Sequence, residues 1–223
     1  MRLATASGRQ WRERLRLALL TLLAAARALA FDAYEIQVYD GRADEQGQAG
    51  LEVHLNRPRG GTLNVTFEPS YGVLPFWELG GYLQTSDGRY EGAKLRTKFV
   101  IPEGWHPHLR LGLNAELARI PNEGWGGEIR PIVAWDDERF LFAANPNVGF
   151  PLSFEPGAMA KLKLGPIAAG LEYYGSLTEG EHYLFEAIDL LAVEGVEVNA
   201  AVGEGLTSAS QSLIFKMILG YAF

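Results

Sequence analysis

The stretch HLRLGLNAELA, residues 108–118, decides the fold. Taken at every second position it gives Leu109, Leu111, Leu113, Ala115 and Leu117; the positions between give His108, Arg110, Gly112, Asn114, Glu116 and Ala118. A helix would scatter these two sets around its axis, whereas a strand puts one on each face. The stretch therefore predicts a β-strand with one apolar face.

The same test succeeds outward in both directions. Ala93, Leu95, Thr97, Phe99 and Ile101 separate from Gly92, Lys94, Arg96 and Lys98, and Leu51, Val53 and Leu55 separate from Glu52, His54 and Asn56. The last eleven residues place Leu213, Phe215, Met217, Leu219, Tyr221 and Phe223 on one face. Turn chemistry punctuates the pattern at Arg57-Pro-Arg-Gly-Gly61, Ser86-Asp-Gly88, Pro121-Asn-Glu-Gly124 and Gly165-Pro166. Thirteen candidate strands result, the first at 33–40 and the last at 211–223. A closed antiparallel barrel in one bacterial chain takes an even number, so about twelve strands are expected, with ten or fourteen as alternatives.

The chain has 223 residues, no Cys, 20 Lys plus Arg and 27 Asp plus Glu. Disulfides and Cys-ligated metals are excluded, and 48% hydrophobic residues is too apolar for a disordered chain. Charge is unevenly placed. Residues 1–30 hold six Arg and one Glu, which leaves 14 basic and 26 acidic residues, a formal charge of −12, in residues 31–223. That body has no general attraction for a phosphate backbone, so nucleic acid is not an expected partner. Residues 1–30 have the layout of a secretory signal peptide: a basic start, the apolar run LALLTLLAAA (17–26), and Ala28-Leu29-Ala30 as a small-x-small cleavage site. Ten apolar residues fall short of the ~20 that a spanning helix needs. The expected organisation is a signal peptide over 1–30 and one barrel domain over 31–223.

Alternation alone does not say which face is wet, because a soluble sandwich or lipocalin-like barrel alternates too. A barrel of about twelve strands is too wide to be filled by apolar side chains as an eight-stranded one is, so its interior should be polar. The other parity is rich in Gly and in charges of both signs. Trp77, Tyr90, Trp105, Trp125, Trp135, Tyr173, Tyr183 and Tyr221 fall mostly near strand ends, where interfacial girdles lie.

The ending Tyr221-Ala-Phe223, with its last aromatic in phase with the apolar face, resembles the carboxy-terminal signal of Gram-negative outer-membrane β-barrels. That resemblance covers the final strand and implies reading by the barrel-assembly machinery, with Gly220 nearer the end than the usual glycine. The segments WGGEIRPIVAW (125–135), VGEGLT (202–207), KMILGYAF (216–223) and FDAYEIQVYD (31–40) resemble a proteobacterial outer-membrane β-barrel family of uncharacterised, transporter-like role. The resemblance implies the barrel and brings no catalytic residue. Residence in the bacterial outer membrane, among lipid and lipopolysaccharide, follows as an expectation.

On this reading the polar face lines a lumen. Strands five to seven bring a basic wall of Lys94, Arg96, Lys98, Arg110 and Arg130, with His108 beside it and Glu116 and Glu128 as relief. Half a turn later come Glu172, Glu186 and Glu197, with Asn199. Two arrangements fit. The walls face each other across a pore and orient small polar solutes, or the charges pair into ladders that plug the lumen, as Lys161 and Lys163 beside Glu172 suggest. Passive passage of small polar solutes is the expected function, with a closed structural or adhesion barrel, a lipid-modifying enzyme and a soluble periplasmic binding barrel as alternatives. No cofactor is expected. The sequence contains neither G-x-S-x-G nor H-E-x-x-H. His106 and His108 at i, i+2 give only a weak metal signal, and the acidic loop 40–50 reads as a solvated face.

Overall fold

The structure, a computed structural model, describes residues 34–102, 104–121 and 124–223. The expected export signal, residues 1–30, lies outside the described residues. Twelve strands follow one another: β1 (Ala49–Pro58), β2 (Asn64–Leu74), β3 (Trp77–Ser86), β4 (Arg89–Val100), β5 (Leu109–Ile120), β6 (Gly124–Asp136), β7 (Phe140–Phe150), β8 (Ser153–Lys163), β9 (Ile167–Ser176), β10 (Glu181–Leu190), β11 (Val196–Gly205) and β12 (Leu213–Ala222). Each pairs antiparallel with its sequence neighbour, and β1 pairs with β12, so the sheet closes into an up-and-down barrel. Closure runs to the final residue, since Ala49 and Phe223 exchange both backbone hydrogen bonds, at 3.1 and 2.8 Å.

The two parities separate as the strand pattern requires. On β12, Ile214, Lys216 and Ile218 are buried inside, while Phe215, Met217 and Leu219 are exposed outside. The outward set includes Leu79, Leu83, Leu95, Phe99, Leu113, Leu117, Ile129, Val133 and Phe142, an apolar belt of the kind a bilayer covers. Aromatic residues edge it. Trp77, Trp135 and Tyr221 lie at the end that carries the start of β1 and the end of β12, here the near end, while Tyr90 and Trp125 lie at the far end. Tyr183, expected in the girdle, is instead 1% exposed inside the barrel, against Phe185. The β3–β4 hairpin turns through Asp87 and Gly88, both at positive φ, as a two-residue hairpin of right-handed twist demands.

The segment 33–40, expected as a strand, is not part of the wall. Residues from Tyr34 onward run extended down the inside of the barrel and reach β1 at the near end. They alternate because they are sandwiched. Ile36 and Val38 join a core with Ala134, Leu141, Ala143, Met159, Tyr174, Phe185, Ala201 and Ile214, whereas Glu35 and Tyr39 meet the charged side chains of β2–β6. Side chains take the place of a backbone ladder. Asn145 accepts from the Tyr39 amide (2.6 Å) and donates to its carbonyl (3.1 Å), and Asn56 and Thr66 both donate to the Tyr34 carbonyl. This strap accounts for the odd thirteenth candidate: the wall holds twelve.

Candidate functional site in the barrel lumen

A wall of twelve strands leaves a bore too wide for apolar packing alone, and this chain fills it unequally. On the β7–β12 side rings and aliphatic groups pack around one ionic cluster, that of Lys161, Glu172 and Lys216. Phe185, fully buried, lies over Gly203, its direct partner on β11, where any side chain would collide with the ring. The β2–β6 side is ionic. The strap lies between the two, with Ile36 and Val38 on the first and Glu35 on the second.

Three acidic nodes organise the ionic groups. In the first, Arg96 reaches Glu68 at 2.9 Å and Glu78 at 2.5 Å, with Lys98 on Glu78 at 3.0 Å. Beside it Arg130 spans Glu35 (2.9 Å) and Glu128 (2.8 Å), and Lys94 spans Glu35 (3.3 Å) and Glu116 (3.2 Å). The Tyr39 and Tyr82 hydroxyls share a hydrogen bond of 2.6 Å, and the Arg130 guanidinium lies 4.6 Å from the centre of the Tyr39 ring. In the second node, at the near end, Arg42, Arg110 and Lys163 converge on Asp136. In the third, Lys161 and Lys216 both grip Glu172, which also takes bonds from Tyr174 and Asn199. Buried charges of this kind persist only when paired and hydrogen-bonded, which is the arrangement seen.

The predicted basic residues Lys94, Arg96, Lys98, Arg110 and Arg130 all point inward, and each holds an acidic partner on its own side of the bore. Glu172 is inward too, claimed by Lys161, while Lys163 goes to Asp136. Glu197 shares the inward parity of Asn199 and Ala201 and is exposed. Glu186 is a correction: it pairs with Leu171 and Val202, both outward, and sits between inward Phe185 and Ala187 on the lipid-facing parity. With Leu55, Ala169, Leu171, Ala200 and Phe215 it borders an outward groove of about 800 Å³. Tyr221 and Phe223 are outward and stacked at 6.0 Å.

Glu35, Glu68 and Glu78, central to the network, were missed by sequence reasoning. Glu68 follows from the β2 parity, but Glu35 is on the strap, whose path no local pattern reveals. His182 meets the Ser210 hydroxyl through its backbone N–H, while its ring bonds the Tyr173 hydroxyl. His106 spends its Nδ1 on the backbone amides of His108 and Leu109.

No family model matches the chain, and no curated protein matches it. Among solved structures it is similar to a KdgM porin, at TM-score 0.63 and 9% identity, over 78% of this chain and 99% of that one. The same porin in complex with disordered oligogalacturonate gives 0.61 at 9% identity, over 78% and 99%. An outer-membrane channel from Pseudomonas putida F1 gives 0.60 at 10% identity, over 85% of this chain and all of that one. At such identities the likeness is one of fold, and the fold is that of a transmembrane twelve-stranded antiparallel β-barrel.

Proposed function

We propose that the protein is an outer-membrane channel for small polar solutes, held closed by its own strap. Export through a leader over residues 1–30, reading of Tyr221 and Phe223 by the barrel-assembly machinery, and contact with outer-membrane lipid and lipopolysaccharide belong to the same reading. The supporting observation is the way the strap is held: by side chains and ion pairs, with no strand ladder to the wall. The twelve wall strands close on themselves, so the strap can leave without opening the cylinder. Its departure would uncover Lys94, Arg96 and Arg130 beside Glu68 and Glu116, a lining of mixed sign suited to small polar or zwitterionic solutes.

Planar-bilayer recording tests this. The full-length barrel is expected to conduct rarely and in brief events, and a variant lacking residues 31–44 to conduct steadily. A strapless variant that still migrates as a heat-modifiable barrel and yet stays silent would refute the channel and favour the closed structural barrel.

A further inference from the structure

We infer that the lumen wall carries a binding site for a divalent transition-metal cation, built from Glu52, His54 and Glu68. All three belong to wall strands β1 and β2, and the strap touches the site from inside, where Gln37 Nε2 donates to Glu52 Oε2 at 3.0 Å and the Tyr39 hydroxyl to Glu68 Oε1 at 3.5 Å. His54 is fully buried, and its Nε2 lies 3.3 Å from Glu52 Oε2 and 3.0 Å from Glu68 Oε2. The three ligand atoms all lie within 4.8 Å of one another. Among the described residues these carboxylates are the hydrogen-bond partners of the His54 ring and its Nδ1 has none, so the ring is aimed into the pair.

The two spacings from the His54 Nε2 match coordination geometry. Metal–nitrogen and metal–oxygen bonds of about 2.0–2.2 Å set neighbouring ligand atoms roughly 3.0–3.5 Å apart. One Nε2 proton can lie on the line to only one of the two oxygens; a cation can serve all three atoms at once.

Register supplies the second reason. Glu52 and Glu68 are direct cross-strand partners, a placement that like charges disfavour unless positive charge is near; Arg96 meets Glu68 through Oε1, which leaves Oε2 turned to His54 and Glu52. A third carboxylate joins the same row, because Gly220 is the partner of Glu52 on one side and of Glu197 on the other. A Cβ at Gly220 would come within 3.0 Å of Glu197 Cβ and 3.1 Å of Glu52 Cγ, so glycine keeps the trough between them open. Exposed Glu197 then marks the entry side and stands ready as a fourth ligand. One imidazole with two or three carboxylates suits zinc and its neighbours among the divalent metals.

The experiment is calorimetric titration of Zn2+ into the chelator-stripped, full-length barrel in detergent, joined to zinc X-ray absorption of the loaded wild type. One bound equivalent with a single imidazole among oxygen ligands is expected, weakened at least tenfold in Glu52→Gln and in His54→Ala, and unchanged in the double variant His106→Ala/His108→Ala. No saturable binding, or binding lost in that double variant and kept in Glu52→Gln, would overturn the site. The absorption spectrum needs no variant, so a His54→Ala chain that failed to fold would leave the inference open to refutation: zinc without imidazole ends it.

Discussion

Arg130 is 4% exposed and joins the strap to the wall through Glu35, itself fully enclosed in its side chain. Replacing it with Met would strip Glu35 of one of its two ionic partners, leaving Lys94, and breaking a buried pair from one side costs about 3 kcal/mol or more. The urea midpoint of Arg130→Met in lipid vesicles is expected to fall accordingly, and adding Glu35→Gln to recover part of the loss. Asp137, in the β6–β7 turn, is the opposite case, partly exposed yet held. Its carboxylate accepts from the Trp135 indole and from the amides of Arg139 and Phe140, which pull its pKa from 3.8 down to about 2. A depressed carboxylate contributes its stabilisation above its ordinary pKa and loses it as pH falls through the lowered one. Trp135 fluorescence should therefore titrate with a midpoint near 2, and lose that step in Asp137→Asn. The inward direction of the five basic residues was legible because polar and apolar positions contrast sharply on β4 to β6. Glu186 was not, because β10 reads Tyr183, Phe185, Ala187 on one parity and Leu184, Ile188 on the other, with no contrast to fix its phase.

Among the elements, the strap shows where periodicity runs out. A segment pressed between an apolar core and an ionic wall alternates just as a half-buried strand does, and its hydrogen-bond partners are side chains scattered at separations from 22 residues, for Asn56, to 106, for Asn145. The pair of hydrogen bonds from Asn145 to the main chain of Tyr39 imitates a ladder rung across a sequence separation of 106. Asn145→Ala is expected to leave the barrel heat-modifiable while cutting the hydrogen-exchange protection of the Tyr39 amide at least tenfold. Full protection in that variant would mean that Ile36 and Val38 hold the strap by packing alone. The wall strands themselves were legible nearly throughout, since turn residues such as Asp87-Gly88 fix the hairpins that the parity then extends.

For the molecule as a whole, an outward carboxylate in mid-strand is a liability that the rest of the belt avoids. Acidic groups on the lipid face destabilise a barrel by an amount that grows with depth, and Glu186→Leu is expected to raise stability by about 1 kcal/mol in vesicles. An unchanged or lowered urea midpoint would show that the groove beside Glu186 holds that carboxylate favourably. The closed order of twelve was half legible, as evenness excluded thirteen but only the strap explained which candidate to drop. The seam between Ala49 and Phe223 also orders events in time. A chain made amino end first carries its lumenal segment before any wall exists, and the cylinder cannot be fastened until β12 is in hand. The occupant can thus be laid against an open sheet and enclosed as the sheet curls, so its first entry needs no threading of a finished bore.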